Sequence, residues 1–447
     1  MTLRAPINIA LIKYWGKLHE GYNIPLNSSF SVTLDRNSFY SETTARLEEG
    51  GFDSFELRDQ SGSLLEIELP KSFDKLKAYF LAVSRRRLGV EQFSVNLKSV
   101  NSFPTKAGLA SSASGLSCIA LCLCRLFNYF EESEAELQED VFENIKGWFL
   151  NDDSGKIEKV LAIVLLLRII SGSSCRSVYL FGVLQIGPDL LADAGDNPKM
   201  IDDAPTGLVN RMLETNRGVL ELSHWRYEKT LERAGLEFAK YYNGPVTWKN
   251  SPEALYHRFT YPFPVPKDWA SLSNRCVAFP LTHLGHAPRQ SLVAFFARLR
   301  MYVCLLHKEK KKVGSTEGMV LSALTSENMV KRVDIVRSNL LAFLKSIQTD
   351  DVEGFLKVIM RDSNNLHSVC MDTYPPLFYL SERSRDAVGF IHQFNAKQQR
   401  TVAGYTFDAG PNPFIIVDKT IEAEFIGGFK ESLEIANKDL IAVDMLV

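Results

Sequence analysis

The run Pro104–Gly115, Pro-Thr-Lys-Ala-Gly-Leu-Ala-Ser-Ser-Ala-Ser-Gly, limits what this chain can fold into more than any other stretch. Upstream, Phe93, Val95 and Leu97 alternate with Ser94, Asn96 and Lys98, the period of a strand. Downstream, Leu116, Ile119, Ala120, Leu123, Leu126, Phe127 and Phe130 recur at helical spacing. A loop of small residues therefore joins a strand to the start of a helix. Ala107, Gly108 and Ala110 let a ligand approach the backbone, and Ser111, Ser112 and Ser114 offer hydroxyls. The free N–H groups and positive dipole end of a helix start favour phosphate at such a place. No Gly-Lys-Ser/Thr follows, so the loop is not of the Walker type. A serine-capped helix after an ordinary turn would use the same residues.

The 447 residues suffice for two or three domains with sizeable cores. A hydrophobic content of 45% with 23% charged residues is that of a soluble globular protein. A net charge of -2 gives no bulk reason to expect nucleic acid or a membrane surface. The cysteines, Cys118, Cys122, Cys124, Cys175, Cys276, Cys304 and Cys370, form no CxxC pair. Neither a zinc site nor a disulfide framework is indicated, and reduced thiols in the cytoplasm are the expectation. The N-terminus shows no basic region followed by an apolar core, hence no signal peptide. The apolar run Val160–Ile170, broken by Arg168, is too short to span a bilayer and reads as a buried helix.

Leu3–Ile12 reads as one buried strand, and Phe30, Val32 and Leu34 mark a second. Phe55–Leu69 reads as a hairpin and Lys75–Leu88 as a basic amphipathic helix. Towards the other end, Met329–Gln348 and a shorter segment near Val352–Met360 read as helices, as do Arg385–Gln398 and Ile421–Ala436. Val402–Phe407 and Phe414–Val417 read as strands around Asp408-Ala-Gly-Pro-Asn-Pro413. The fold class expected is α+β, the second half forming a split βαβ sandwich. The polar stretch Asp189–Pro266 carries no motif, and the basic cluster Lys308–Lys312 precedes Gly314-Ser315-Thr316, where it would face an anionic ligand or solvent.

Three further strings sharpen the picture. They are Ala5-Pro-Ile-Asn-Ile-Ala-Leu-Ile-Lys-Tyr-Trp-Gly-Lys17 with Ile24–Leu34, Ser171-Gly-Ser-Ser-Cys-Arg-Ser177, and Tyr405-Thr-Phe-Asp-Ala-Gly-Pro-Asn412. With Pro104–Gly115, Asp362-Ser-Asn-Asn-Leu-His367 and Asp372-Thr-Tyr-Pro-Pro376, the chain resembles the mevalonate 5-diphosphate decarboxylase family of the GHMP small-molecule kinases. The resemblance takes in roughly residues 1–130, 155–180 and 300–417. The loop marks only the superfamily; Lys13–Lys17 and Tyr405–Asn412 are far more specific.

The resemblance implies a two-domain fold, divided here at 183/184, with the active site in the cleft and a ferredoxin-like C-terminal sandwich. It implies MgATP-dependent phosphorylation of the 3-hydroxyl of mevalonate 5-diphosphate, followed by loss of phosphate and CO2. Asp408 is then the carboxylate that orients the hydroxyl and takes its proton. Arg176 is the fork that grips the substrate carboxylate, with Ser171, Gly172 and Ser173 beside it. Tyr14 and Lys17 meet the diphosphate, Lys17 also lying near Asp408, while Trp15 is core and Ser315 a substrate-side hydroxyl. Asn101, Pro104, Gly108, Leu109, Ala110, Ser111 and Ser112 hold ATP, and Ser112 also Mg²⁺. An Asp capping a turn, a surface Arg after a Ser-rich turn and a packed Tyr-Trp pair are the plain alternatives. A homodimer is the usual family assembly.

The chain departs from the family pattern in places. Ser177-Val-Tyr-Leu-Phe-Gly182 lacks the usual double glycine after the arginine, Lys106 replaces a small loop residue, and Thr316 stands where some bacterial members have Arg. Glu131–Asp153, Asp189–Pro266 and Ser273–Arg298 read as extra segments, peripheral to the chemistry. A phosphomevalonate decarboxylase, a mevalonate 3-kinase and an inactive binding homologue stand as alternatives within the same fold.

Overall fold

The computed structural model describes residues 1–19, 23–59, 61–66, 68, 71–87, 92–103, 111–151, 153–179, 182–185, 187–188, 278–280, 286–307 and 311–446. The apolar run at the N-terminus makes two strands rather than one: β1 (Thr2–Pro6) and β2 (Asn8–Ile12). The break is at Ile7, whose N–H donates to Phe39 O at 3.3 Å and whose carbonyl accepts from Leu34 N at 3.0 Å. That crossover sends the two strands into different sheets. β1 keeps alternating burial, as suits a strand with one covered face, whereas β2 is buried throughout.

A short ribbon, β3 (Lys17–His19) with β4 (Ile24–Pro25), leads to β5 (Ser29–Leu34) and the long β6 (Tyr40–Glu48). β7 (Ser54–Arg58) and β8 (Leu64–Glu66) form the expected hairpin. The basic helix α1 (Lys71–Arg87) follows, then β9 (Ser94–Asn101) and the helix α2 (Ser111–Leu126). The first sheet runs β1-β6-β9-β7-β8, with β7 and β9 parallel and the other pairs antiparallel. α2 lies across it, with Cys118 Sγ 3.2 Å from Leu3 O and Cys122 Sγ 3.5 Å from Thr43 O.

Residues 131–153 are not peripheral. They hold α3 (Glu134–Gln138) and α4 (Val141–Leu150), which buries Val141, Phe142, Ile145, Trp148 and Phe149 in the main core. Beneath them Glu132 and Arg125 form a buried ion pair at 2.9 Å. α5 (Ser154–Ser171) begins with polar turns around Lys156 and Lys159, and over Val160–Ile170 it is apolar on every side except at Arg168. It ends at Gly172 and passes into a 3-10 turn, Ser174–Val178. β10 (Val183–Gln185) straddles the boundary expected at 183/184. Residues 189–266 lie outside the described residues, but part of 273–298 is built into the fold. β11 (Ala278–Pro280) pairs with β10, and α6 (His286–Ala297) packs Phe295 and Phe296 edge-on against Phe355.

β12 (Leu299–Cys304) opens the C-terminal unit, followed by α7 (Ser315–Thr325), α8 (Glu327–Gln348), α9 (Val352–Asp372) and α10 (Glu382–Lys397). β13 (Ala403–Thr406), β14 (Phe414–Asp418), α11 (Glu422–Leu433), β15 (Leu440–Val443) and β16 (Met445–Leu446) complete it. The third sheet has the order β13-β14-β12-β15, antiparallel throughout. This is the βαββαβ order of a ferredoxin-like sandwich. α9 runs 21 residues, well past the segment predicted near Val352–Met360. Polar Asp362, Ser363, Asn364 and Asn365 disturb the helical pattern in sequence because their side chains bond to other elements. The second sheet, β11-β10-β5-β16 with β2 also on β5, joins the two halves of the chain: Met445 pairs with Leu34. α8 closes over it, with the Phe343 ring 4.6 Å from Phe30.

Candidate active site

β2 ends by delivering Lys13 into the interior, its side chain only 2% exposed. The ammonium lies 2.7 Å from Asp408 Oδ1, and Asp408 keeps 26% of its side chain accessible. A carboxylate just beyond β13, inside the Gly/Pro loop, thus stays part-exposed while gripped by a buried cation. Burial pushes the Lys13 ammonium below its usual range; Asp408 and Asp362 pull it back up, and Arg332 adds to the fall. The sequence reading assigned the position beside Asp408 to Lys17; the cation bonded to it is Lys13. Lys17 lies on the β3–β4 ribbon, opposite Pro25. The signal for Lys13 was in the sequence: a lone lysine closing the apolar run Ile9–Ile12, where an unpaired charge would be costly.

A second cation approaches from the basic cluster. Lys311 Nζ donates to Ser315 Oγ at 2.7 Å and to Ala409 O at 2.8 Å, and lies 5.4 Å from the centre of the Tyr379 ring. Burial lowers its pKa while the charge of Asp408 raises it. Ser315 begins α7 behind Gly314, so a helix start and a lysine face the same loop as Asp408.

Arg176 occupies the 3-10 turn and is 3% exposed. Nε donates to Gln185 Oε1 at 3.0 Å, and Nη2 donates to Gln185 Oε1 at 2.5 Å and to Ser29 Oγ at 2.7 Å. The guanidinium stands 5.2 Å from the centre of the Tyr14 ring. Burial lowers its pKa, and the charges of Cys175, Tyr14 and Asp408 oppose the fall. The Tyr14 hydroxyl is buried without a hydrogen-bond partner among the described residues, and burial pushes its pKa up to about 12. Ser171, Gly172 and Ser173 form the turn in front of Arg176. Ser173 N–H donates to Ser171 O at 2.9 Å, Arg176 N–H donates to Ser173 O at 3.2 Å, and Ser171 Oγ accepts from Ser174 Oγ at 2.6 Å. Trp15, expected as core, is buried and edge-on to Tyr379.

Of the nucleotide-loop residues, Pro104, Gly108, Leu109 and Ala110 lie outside the described residues. Ser111 and Ser112 occupy the first positions of α2. Both ends of the loop are tied to one hydroxyl: Ser41 Oγ is 2.6 Å from Asn101 Oδ1 and 2.7 Å from Ser114 Oγ. Ser117 Oγ bonds to Ser174 O, which joins α2 to the turn that carries Arg176.

His367 closes the string Asp362–His367, to which the sequence attaches no role in this environment. Its ring is 6.0 Å from that of Phe407, its Nε2 is buried without a partner among the described residues, and its pKa is lowered to about 3. Burial is the largest cause, and the charges of Lys13 and Arg332 add to it.

Two family models match the chain. Residues 5–141 match the diphosphomevalonate decarboxylase-like N-terminal domain and residues 301–444 the mevalonate 5-diphosphate decarboxylase C-terminal domain, together more than half of the length. The chain belongs to the mevalonate 5-diphosphate decarboxylase family. The rat diphosphomevalonate decarboxylase is 28% identical over 97% of this chain and 80% of its own. Among solved structures, the mevalonate diphosphate decarboxylase of Trypanosoma brucei superposes with a TM-score of 0.60 at 25% identity, over 96% of this chain and 82% of that one. The Enterococcus faecalis enzyme, solved in a study of mevalonate diphosphate-mediated ATP binding, gives 0.61 at 22% identity over 99% and 96%. The two-domain GHMP-kinase fold of the family is thus the fold of this chain, and in it Lys13 pairs with Asp408 while Lys311 bonds to the carbonyl of Ala409.

Proposed function

We propose that the chain is an ATP-dependent decarboxylase that converts mevalonate 5-diphosphate to isopentenyl diphosphate, ADP, phosphate and CO2. The observation that carries this reading is the ion pair of buried Lys13 with part-exposed Asp408. Asp408 orients the substrate 3-hydroxyl and receives its proton as the γ-phosphoryl passes to oxygen and ADP leaves. Such a transfer is governed by positioning and charge, which suits one carboxylate held between Lys13 and the Lys311 loop. Arg176 grips the substrate carboxylate, with Tyr14, Lys17, Ser171, Gly172, Ser173 and Ser315 around the rest of the molecule. The C–CO2 bond then breaks, its electron pair forms the alkene, and phosphate departs with the C–O pair.

The first turn of α2 carries no acidic residue, so its positive end suits nucleotide phosphate contacted by Asn101 and by Ser111 and Ser112. Mg²⁺ fits the same end through the Ser112 hydroxyl and phosphate oxygens, and when bound it neutralises charge on the transferring group. No helix among the described residues is long and apolar enough to cross a membrane. We place the protein as a cytoplasmic homodimer in the mevalonate route to isoprenoids and sterols; the six described cysteines are all free, as a reducing compartment favours. Product analysis tests the reading. Mevalonate 5-diphosphate with MgATP is expected to give ADP and CO2 in equal amounts. ADP without CO2 would make the protein a 3-kinase, turnover of the monophosphate alone would move the substrate, and no ADP from either would leave a binding homologue.

A further inference from the structure

Two adjacent residues of α9 hold the two partners of the Lys13–Asp408 pair. Asp362 Oδ2 accepts the backbone N–H of Lys13 at 2.6 Å. Ser363 Oγ accepts the backbone N–H of Phe407, the residue before Asp408, at 2.9 Å. The Lys13 carbonyl is held as well, by Asn27 Nδ2 at 2.9 Å and Arg332 Nη2 at 3.1 Å. Arg332 also faces Asp362 at 3.4 Å, both side chains fully buried, and Asn339 Nδ2 donates to the other Asp362 oxygen at 3.1 Å.

Removing two charges from water is costly, and a buried ion pair is weak evidence of stability. This pair places its two charges on the N–H and the carbonyl of one residue, Lys13. Helix α8 supplies Arg332 and Asn339, helix α9 supplies Asp362, and together they fix the end of β2, far away in sequence. The next residue along α9 fixes the end of β13. Two consecutive residues of one helix therefore fix the backbone positions from which the Lys13 ammonium and the Asp408 carboxylate reach each other.

We propose that Asp362, with Ser363, is a positioning residue that aligns Lys13 and Asp408 for phosphoryl transfer. Asp362 touches neither substrate nor nucleotide in this scheme, and it acts through the backbone of Lys13. The inference rests on the function proposed above.

The test uses the full chain with Asp362→Asn and Ser363→Ala. An asparagine keeps the shape but turns one acceptor into a donor, which faces either the Lys13 N–H or Asn339. A misplacement on the order of 1 Å in a reacting constellation costs ~10²-fold in rate. The expected result is a fall of kcat of ~10²-fold in Asp362→Asn and about tenfold in Ser363→Ala, with KM for ATP and for mevalonate 5-diphosphate within about twofold. A purely structural role would lower the amount of folded enzyme without that split. Ser363→Ala removes only a hydroxyl and keeps the test open should Asp362→Asn not fold. Hydrogen exchange at the Lys13 and Phe407 amides supplies a readout without turnover: each variant should speed exchange at the amide it released. Folded variants with unchanged kcat and unchanged exchange would overturn the inference. If the unaltered protein releases neither ADP nor CO2, the proposed function fails, and the exchange measurement still decides whether the clasp exists.

Discussion

Gly172 offers a sharp perturbation of the arginine turn. Its backbone sits at φ 74° and ψ −45°, with the Ser173 N–H donating to Ser171 O across it at 2.9 Å. This is a γ-turn of the positive-φ kind, which is rare and strained for residues with a Cβ. Holding an L-residue in so sparsely populated a region costs about 1–3 kcal/mol. A methyl group there would also lie 2.8 Å from the Tyr14 hydroxyl, closer than such contacts allow. Tyr14 cannot yield freely, because its ring is backed by Arg176 at 5.2 Å. Gly172→Ala is therefore expected to lose about 2 kcal/mol of stability in urea unfolding, read as a lower midpoint at unchanged slope. KM for mevalonate 5-diphosphate should rise about tenfold, the equivalent of ~1.4 kcal/mol, as Tyr14 and Arg176 shift. Gly147→Ala is the control. Gly147 lies inside α4 with open space where its Cβ would be, so the same change there should stabilise by ~1 kcal/mol. Equal effects of the two substitutions, or a Gly172→Ala protein with wild-type stability and KM, would refute the reasoning.

Lys13→Met should lower kcat ~10²–10³-fold by removing the cation behind Asp408, whereas Lys17→Met should mainly raise KM for mevalonate 5-diphosphate; steady-state kinetics showing the reverse would return the catalytic cation to Lys17. His367, with an unfolded value of 6.5 and a folded value of about 3, binds its proton only on unfolding over that interval. Its contribution is complete above pH 6.5 and is lost as the pH falls towards 3, at up to ~1.4 kcal/mol per pH unit. In urea unfolding from pH 7 to pH 4, the midpoint of the wild type should therefore fall relative to that of His367→Leu as the pH drops; parallel curves would place the titration elsewhere.

What sequence could reveal followed locality. β9, the start of α2 and the hairpin β7–β8 each declare themselves within a few residues, because their burial pattern is written in neighbouring side chains. Asp408 and Arg176 were legible only through flanking strings, since a carboxylate in a Gly/Pro loop and an arginine after a serine turn serve many ends. Lys13 was missed in favour of Lys17 because both fit one short motif, and only the partner chosen by the fold separates them. Asp362 is further removed: it meets Lys13 across most of the chain, and in sequence it is legible only as part of the string Asp362–His367, with no role attached. The split of Leu3–Ile12 was equally hidden, because a continuous apolar run does not say which sheet each half will join. Phe295 and Phe296 read as part of an extra segment, yet both pack on Phe355.

The missing double glycine after Arg176 bears on whether the clamp can form at all. Tyr179 comes just before that stretch, buried, its hydroxyl donating to Ala278 O at 3.2 Å and its carbonyl accepting from Thr33 Oγ1 at 2.9 Å. These bonds tie the segment after the arginine to β5 and β11. The guanidinium takes its direction from other elements: Ser29 on β5, Gln185 on β10 and the Tyr14 ring after β2. The turn that aims it lies upstream, at Gly172, and that glycine is retained. Leu180 and Phe181, which take the place of the two glycines, lie outside the described residues, and the contacts that orient Arg176 come from Ser29, Gln185 and Tyr14 instead. The direction of the guanidinium is thus fixed by contacts that do not involve the positions of the departure, and restoring the two glycines is expected to leave KM for mevalonate 5-diphosphate within about twofold in steady-state kinetics.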